Sequence, residues 1–205
     1  MTATAIATTA TAGLLPGFSD PVLDSQRVFR AVLDVMSRPG TVVELPLRLA
    51  APMPLDAAAT AVALALTDHE THVWLDRAAN TEAVRQYLRF HCGCPLTGET
   101  VAADFAIVAD ARSMPPLSDF KLGSDEFPDR STTLIVQVPT LTAGEPWNLK
   151  GPGIRDRKRL AVGGLPSGFH RWVADNHDRF PRGIDLIFTS GCLLTALPRT
   201  VRLEG

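Results

Sequence analysis

The spacing of apolar residues along the chain switches between the helical and the extended period, and it predicts helices and strands in alternation. A first helix is expected to begin at Asp20-Pro21, because aspartate caps the free N–H groups of a first turn and proline suits its first position. The helix is expected to end at Arg38-Pro39-Gly40. Its apolar face consists of residues at helical spacing: Val28, Val32, Val35 and Met36.

The same pattern predicts the remaining elements. Helices are expected over residues 57–66, 81–90 and 168–177, and strands over residues 41–45, 71–75, 105–108, 132–138, 147–149, 184–189 and 193–197. Residues 111–131 are expected to form a long loop or short helices. Strands that alternate with helices predict an α/β fold with helices on both faces of one sheet, and the late hairpin makes that sheet mixed rather than purely parallel.

Length and composition are those of one globular unit. With 205 residues, 45% of them hydrophobic, the chain is expected to form a single α/β domain over residues 16–205. Residues 1–13 are rich in Ala and Thr and hold no Lys or Arg, so residues 1–15 are expected to be a disordered tail rather than a targeting signal. No apolar run approaches a membrane span and three cysteines fit a reducing compartment, so the expected location is the cytoplasm.

Charge is distributed unevenly along the chain. The net charge of −2 gives no general attraction to nucleic acid or to a membrane, and we expect neither as a partner. Residues 1–149 hold 10 basic against 17 acidic residues, whereas residues 150–205 hold 10 against 5. This asymmetry indicates an anionic ligand or a polar partner on the C-terminal side, although an ordinary surface can produce the same counts.

The strongest chemical signal lies between residues 151 and 159. Glycines allow a backbone whose N–H groups converge on an anion, and arginine forks bind phosphate oxygens in pairs. The candidate anion-binding residues are Gly151, Gly153, Arg155, Arg157, Lys158 and Arg159. The Gly-Lys-Ser/Thr ending of a phosphate loop and the third glycine of a dinucleotide fingerprint are missing, so no known nucleotide-binding loop is predicted. An anion- or partner-binding surface and a solvated turn both stay open.

Two other clusters have some features of metal sites but lack the required spacing. His69 and His72 are three residues apart, whereas the helix of a zinc protease places its histidines four apart. Cys92 and Cys94 could share a soft ion, but a structural zinc site needs four ligands and a second pair is missing. We therefore expect no metal site and interpret both clusters as packed or polar turns.

Asp185 is the one acidic residue expected to be buried, because it lies in the apolar run Ile184–Phe188. A buried carboxylate needs a partner, and Arg182 and Arg199 are candidates because each stands beside a proline at a nearby turn. The expected role is an ion pair that fixes the strand.

Several short segments, taken in order, resemble the H subunit of the bacterial carbon–phosphorus lyase core complex, the PhnH family. The resemblance covers nearly the whole chain after the N-terminal tail, and it rests on the order in which the segments follow one another. They include Met36-Ser37-Arg38-Pro39-Gly40, Leu64-Ala65-Leu66-Thr67-Asp68, Thr133-Leu134-Ile135-Val136-Gln137-Val138, Gly151-Pro152-Gly153-Ile154 and Gly183-Ile184-Asp185-Leu186-Ile187.

The resemblance implies a fold, partners and a reaction. The implied fold is a three-layer α/β/α sandwich with a mixed sheet, similar to the large domain of pyridoxal-phosphate-dependent transferases but without their cofactor, so no cofactor is expected. The implied partners are the G, I and J subunits, with a homodimer when the protein is isolated. The implied reaction, carried out with the G, I and L subunits, replaces the adenine of ATP with methylphosphonate and gives α-D-ribose 1-methylphosphonate 5-triphosphate.

Two roles in that reaction stay open. The chain is either an accessory subunit without catalytic residues, or a subunit that contacts the triphosphate or the phosphonate through its arginine cluster. The resemblance supplies no catalytic residue that can be carried over to this sequence.

Overall fold

The structure, a computed structural model, describes residues 14–204. Within them lie four α-helices: α1 (Pro21–Ser37), α2 (Ala57–Leu66), α3 (Glu82–His91) and α4 (Phe169–His177). The strands are β1 (Val43–Glu44), β2 (Val73–Leu75), β3 (Leu96–Thr97), β4 (Phe105–Val108), β5 (Thr133–Gln137), β6 (Pro146–Lys150), β7 (Lys158–Ala161), β8 (Asp185–Ser190), β9 (Leu193–Leu197) and β10 (Arg202–Glu204). Short 3₁₀ turns cover Thr100–Ala102, Ala111–Ser113, Leu117–Asp119 and Pro128–Arg130.

The helices begin where side chains can cap them. Asp20 accepts hydrogen bonds from the backbone N–H groups of Val22 and Leu23 at 3.1 and 3.0 Å, which confirms the predicted start of α1. Asp56 caps α2 in the same way and accepts a bond from the N–H of Ala59 at 2.7 Å. These bonds satisfy N–H groups that have no partner within the helix.

Seven strands form one mixed sheet in the order β1-β9-β8-β5-β4-β2-β3. The strands β8, β5, β4, β2 and β3 run parallel to one another, whereas β9 is antiparallel to both β8 and β1. The hairpin of β8 and β9 therefore makes the sheet mixed, as predicted. A second, smaller antiparallel sheet has the order β10-β6-β7.

Apolar side chains fill both faces of the large sheet, because neighbouring residues of a strand point to opposite sides. On β5, Ile135 belongs to the cluster that packs against α1, α2 and α3, and Val136 belongs to the cluster on the other side. The second cluster is covered by α4, the 3₁₀ turns Ala111–Ser113 and Leu117–Asp119, and the small sheet. This confirms the predicted α/β sandwich, with one outer layer that is only partly helical; the likeness to the pyridoxal-phosphate transferases stays a prediction.

Three strands have no counterpart in the sequence-based prediction: β3, β7 and β10. Lys158 and Arg159, interpreted from the sequence as part of a basic turn, belong to β7, so that interpretation is wrong for these two residues. β7 is an edge strand of the small sheet, where exposed charged side chains are tolerated. Its residues therefore lack the apolar alternation that signals a strand.

The described chain begins against α3. The carbonyl oxygen of Leu15 accepts a hydrogen bond from Nε2 of His91 at 2.9 Å, and that of Pro16 accepts one from the hydroxyl of Tyr87 at 3.2 Å. Of the tail predicted for residues 1–15, residues 1–13 lie outside the described residues. Within residues 14–204, no helix combines the length and the apolarity needed to cross a bilayer.

Candidate functional site

Segments that lie far apart in the sequence meet on one surface of the molecule. It is built by the end of α1, the turn between β6 and β7, the bend after α4 and the bend after β9. We call this surface the turn face and define it by residues 36–41, 150–158, 177–182 and 198–202. It contains the glycines and most of the basic residues that the sequence indicated as candidates.

Close backbone packing explains the two glycines of the turn face. Gly151 and Gly153 have φ angles of +150° and +79°, which side chains disfavour. A Cβ at Gly151 would lie 2.9 Å from the carbonyl oxygen of Thr200, and one at Gly153 would lie 2.0 Å from that of Ser37. The N–H of Ile154 donates to the carbonyl of Gly151 at 3.1 Å and closes the turn on itself. The glycines thus hold three chain segments together.

Part of the predicted basic cluster lines an open cleft of about 370 Å³ on the turn face. The cleft is bounded by the end of α1 on one side and by the segment before β7 on the other, and its basic lining residues are Arg38, Arg155, Arg157 and Lys158. Arg38 is already paired with Asp34. Arg155 and Lys158 form no ion pair with any residue in the described part of the chain, so their charges are available to an anion, and Asp156 adds one negative charge to the same lining.

The other basic candidates are engaged or directed elsewhere. Arg157 pairs with Glu204 through Nε and Oε2 at 3.0 Å, and Lys150 approaches the same carboxylate at 3.6 Å. Arg159 lies on β7 directly after Lys158, so the two side chains point to opposite faces of the small sheet. The structure therefore gathers the six predicted residues in one turn and strand but does not aim them at one point.

A second concavity of about 360 Å³ lies beside the cleft. Its walls are largely apolar and include Gly151, Pro152 and Phe180, whereas Lys150, His177 and Arg202 stand at its rim. Nε of Arg202 donates to Nε2 of His177. The imidazole therefore carries its hydrogen on Nδ1, which donates to the carbonyl of Arg199 at 3.2 Å.

Phe180 separates this concavity from a third one of about 380 Å³. The third concavity is lined by Met36, Pro128, Pro181 and Pro198 around the Asp185–Arg199 pair. Phe180 is 59% exposed. The two concavities and the ring between them form one groove, which we call the Phe180 groove.

Asp185 and Arg199 form the ion pair that the sequence predicts. The backbone N–H and Nε of Arg199 donate to Oδ1 of Asp185 at 2.9 and 3.2 Å, and Nη2 donates to Oδ2. Only 18% of the Asp185 side chain and 12% of the Arg199 side chain are exposed. The expectation that Asp185 is the one buried acidic residue is wrong, because Asp76 is buried more deeply. The other candidate partner, Arg182, pairs with Asp125 instead.

The same guanidinium joins two further segments to the strand. Nη1 of Arg199 donates to the carbonyl oxygens of Pro128 and Pro181 at 2.7 and 3.3 Å, and Nη2 donates to Oγ of Ser131 at 2.6 Å. Pro128 and Pro181 both line the third concavity, so one mostly buried side chain fixes this part of the Phe180 groove.

A second region of interest, missed by the sequence reasoning, is the carboxyl edge of the parallel strands. Open α/β sheets bind ligands there, between neighbouring strands whose following segments pass to opposite faces. β2 and β4 are such a pair, because α3 packs on one face and the turn Ala111–Ser113 on the other. The crevice between them is closed by Asp76, which accepts bonds from the N–H groups of Ala79 and Asp110 at 2.6 and 2.9 Å.

Asp56 closes the same edge further along the sheet. Besides capping α2, its carboxylate accepts a bond from the N–H of Gly191 at 3.0 Å and so joins the helix to the β8–β9 turn. Burial raises the pKa of the Asp56 carboxyl, although the N–H groups of Ala59 and Gly191 favour its charged form. An aspartate that directly follows a predicted strand, as Asp76 follows β2, was the available sequence signal for this edge.

The carboxyl edge also holds a smaller cleft of about 280 Å³ between the ends of β4 and β5. Asp110, Arg112 and Gln137 line it. The amide of Gln137 is occupied, because it accepts from the N–H of Asp56 at 2.6 Å and donates to the carbonyl of Pro54 at 3.0 Å. Arg112 is the basic group in this cleft.

The histidine and cysteine clusters contact neighbouring residues of the protein. His72 faces Asp104, with Nδ1 3.4 Å from Oδ2. The thiols of Cys92 and Cys94 donate to the backbone carbonyls of Ala63 and Leu88, and the neighbouring Cys94 together with burial raises the pKa of Cys92. Among residues 14–204, no group of three or more His, Cys, Asp or Glu side chains is close enough to hold a metal ion.

Comparison with known proteins points to one family. The profile of the family described as "Bacterial phosphonate metabolism protein (PhnH)" matches residues 16–204. The chain is 42% identical to the α-D-ribose 1-methylphosphonate 5-triphosphate synthase subunit PhnH of Rhizobium meliloti (strain 1021), over 91% of this chain and 94% of that protein. It is 30% identical, over 87% of this chain and 85% of the relative, to HtxG of Stutzerimonas stutzeri, a protein proposed to be a C–P lyase subunit.

Proposed function

Because the chain belongs to the PhnH family of bacterial phosphonate metabolism proteins, we propose that it is a subunit of α-D-ribose 1-methylphosphonate 5-triphosphate synthase in the carbon–phosphorus lyase pathway. The observation that carries this proposal is the 42% identity to a synthase subunit over nearly the full length of both proteins. The reaction would replace the adenine of ATP with methylphosphonate and would need the G, I and L subunits.

Within the synthase, we propose an accessory role that shapes or stabilises the assembly. Three features support it. The glycines of the turn face are explained by contacts with Ser37 and Thr200. Arg157 is paired with Glu204, and Arg159 points away from Lys158. The crevice where an α/β sheet commonly binds its ligand is filled by the protein's own Asp76.

A second candidate role is direct contact with the triphosphate or the phosphonate. The observation that favours it is the cleft of about 370 Å³ in which Arg155 and Lys158 lack acidic partners within the described residues. Arginine and lysine at such a cleft can bind phosphate oxygens. The two roles predict different results when Arg155 is removed.

The proposed partners are the G, I and J subunits, and the proposed state of the isolated chain is a homodimer in the cytoplasm. The first helix supports self-association, because Val22, Phe29 and Leu33 lie along one face of α1 and are 77%, 46% and 53% exposed. A single apolar stripe suits a two-fold contact in which the same surface is buried on both copies.

Reconstitution tests the proposal. Adenine release from ATP in the presence of methylphosphonate is measured with the G, I and L subunits, with and without this chain. Loss of both adenine release and assembly in its absence supports the accessory role, whereas loss of release from an intact remaining assembly supports the direct role. Unchanged adenine release would contradict the assignment to the synthase.

A further inference from the structure

We propose that the Phe180 groove is the docking site for a segment of one of the proposed partner subunits, G, I or J, and that this segment carries an apolar side chain next to carboxylates. This inference rests on the proposed function, because it needs a partner subunit. It goes further by assigning the surface and the chemistry of the segment that the surface accepts.

The apolar part of the groove calls for an apolar occupant. Phe180 exposes 59% of its surface between two concavities of about 360 and 380 Å³. Pro152 lines one concavity, and Pro181 and Pro198 line the other. Burying an aromatic ring in such a setting stabilises a complex more than most other contacts do, and aromatic anchors are concentrated at the centres of protein interfaces.

The walls of the groove are already fixed in the unbound chain. Arg199 donates to the carbonyl oxygens of Pro128 and Pro181, and these two residues belong to different segments that line the same concavity of the groove. A groove that is ordered before binding loses less conformational entropy when the partner arrives. This preorganisation favours an extended segment that enters a formed surface.

The rim of the concavity beside Arg202 specifies the charge of the occupant at that end of the groove, whereas the exposed Asp129 lines the other concavity. The side-chain partner of Arg202 is the imidazole of His177 rather than a carboxylate, so the charge of the guanidinium is not neutralised. Lys150 lies opposite Arg202 on the neighbouring strand. Its Nζ is 3.6 Å from the carboxylate of Glu204, and Arg157 pairs with the same carboxylate. Carboxylates on the partner would complement this surplus of positive charge and would also orient its approach.

The same charges argue against a second copy of this chain as the occupant. A two-fold contact centred on the groove would bring the positively charged rims of both copies, with Lys150 and Arg202, into one interface. Like charges placed together across an interface are unfavourable. Self-association is proposed above for the apolar stripe on α1 instead, so the two surfaces suit different partners.

The test uses two variants of the groove and one matched control. Phe180→Asp places a charge in the apolar centre of the groove. Arg202→Glu reverses the charge at the rim, and the new glutamate can pair with Lys150 on the opposite strand. Phe90→Asp is the control, because Phe90 is 73% exposed on α3 and lies outside the turn face. Each chain is mixed with the purified G, I and J subunits, and its affinity for them is measured together with the oligomeric state and the thermal midpoint of the isolated chain.

The expected result is a loss of affinity of about tenfold or more for Phe180→Asp and for Arg202→Glu, with Phe90→Asp close to the unsubstituted chain. Should Phe180→Asp disturb folding, the comparison of Arg202→Glu with Phe90→Asp decides. Assembly of both groove variants like the unsubstituted chain would overturn the inference and leave the synthase assignment standing. Dissociation of the homodimer by Phe180→Asp would also overturn the inference, because it would identify a second copy of this chain as the occupant of the groove.

Two further outcomes are also decisive. If the groove variants assemble normally but adenine release is lost, the groove binds a small molecule and the docking inference is wrong. If the unsubstituted chain itself fails to bind the G, I and J subunits, the proposed partnership fails, and the groove inference fails with it.

Discussion

Gly153 packs so closely on the carbonyl oxygen of Ser37 that a Cβ at this position would lie 2.0 Å from that oxygen. The contact joins the turn between β6 and β7 to the end of α1. Because the neighbour is backbone, it cannot rotate away as a flexible side chain would. The turn face therefore depends on glycine at this position for its shape.

Gly153→Ala is expected to lower the free energy of unfolding by about 3 kcal/mol, since it combines a left-handed φ with a backbone clash. Chemical denaturation measures the change. Gly98→Ala is the matched control, because no heavy atom lies within 4 Å of a Cβ built there, and its effect should stay within about 0.5 kcal/mol. Equal stability of the two variants would contradict the packing described for the turn.

Arg199→Ala is expected to destabilise the protein by about 3 kcal/mol, because it leaves the mostly buried Asp185 carboxylate without its partner. Its control is Arg182→Ala, whose partner Asp125 is largely exposed, and which should cost at most about 0.5 kcal/mol. Thermal and urea unfolding of both variants distinguishes them. A small effect of Arg199→Ala would show that the loops around Pro128 and Pro181 hold their positions by other contacts.

Asp56 and Asp104 should give stability a pH dependence of opposite sign. Burial raises the pKa of Asp56 above its ordinary value of 3.8, so the folded chain keeps a proton that the unfolded chain has released, and this contribution to stability declines as the pH rises above 3.8. Desolvation also opposes the charge of Asp104, but the hydrogen bonds from Lys121 and His72 outweigh it and lower its pKa. That contribution is present above pH 3.8 and is lost as the pH falls through the lowered pKa.

The measurement is the free energy of unfolding of the unsubstituted chain minus that of Asp56→Asn or Asp104→Asn, followed from about pH 3 to 7. The difference should decrease with rising pH for Asp56→Asn and increase for Asp104→Asn. If the two differences in the free energy of unfolding change with pH in the same direction, the surroundings of Asp56 or of Asp104 differ from those described.

Arg155→Ala tests the role of the basic cleft. If the chain is an accessory subunit, adenine release by the assembled synthase should stay within about twofold of the original, since no substrate contact is removed. Arg159→Ala is the control with the same change of charge on a residue that does not line the cleft. A loss of tenfold or more, about 1.4 kcal/mol, for Arg155→Ala alone would favour direct contact with the phosphate groups.

Leu33→Asp tests the proposed homodimer. A charge in the middle of the exposed stripe on α1 should convert the isolated chain to a monomer, because a two-fold contact would place two such charges close together. Sedimentation velocity measures the change, and Val101→Asp, a substitution of a 62% exposed residue away from α1, is the control. If the Leu33→Asp variant sediments with the same oligomeric mass as the unsubstituted chain, any contact between copies lies outside the α1 stripe.

Elements with strong local signals could be predicted from the sequence. Asp20 and Pro21 specify the start of α1, and the apolar runs specify β4 and β9 with their correct bounds. Lys158 and Arg159 could not be placed, because an exposed edge strand needs only backbone pairing with β6 and therefore carries no apolar alternation.

The candidate site was only partly accessible to such reasoning. The pairing of Asp185 with Arg199 could be inferred, because a carboxylate within an apolar run needs a nearby cation. The Phe180 groove and the closure of the carboxyl edge by Asp76 could not, since both depend on which segments the fold brings together. The spacing of residues along the chain does not show which distant segments pack against each other in the folded protein.

The hydrogen bonds of Arg199 have a consequence for exchanging parts between relatives. One side chain, contributed by the last few residues, holds in place the loop at Pro128, the bend at Pro181 and the strand at Asp185. A chimera that takes its C-terminal segment from one family member and its loops from another would combine halves of this network that did not evolve together. Crossover points are therefore safer before residue 128 than after it, because the four segments then come from one parent.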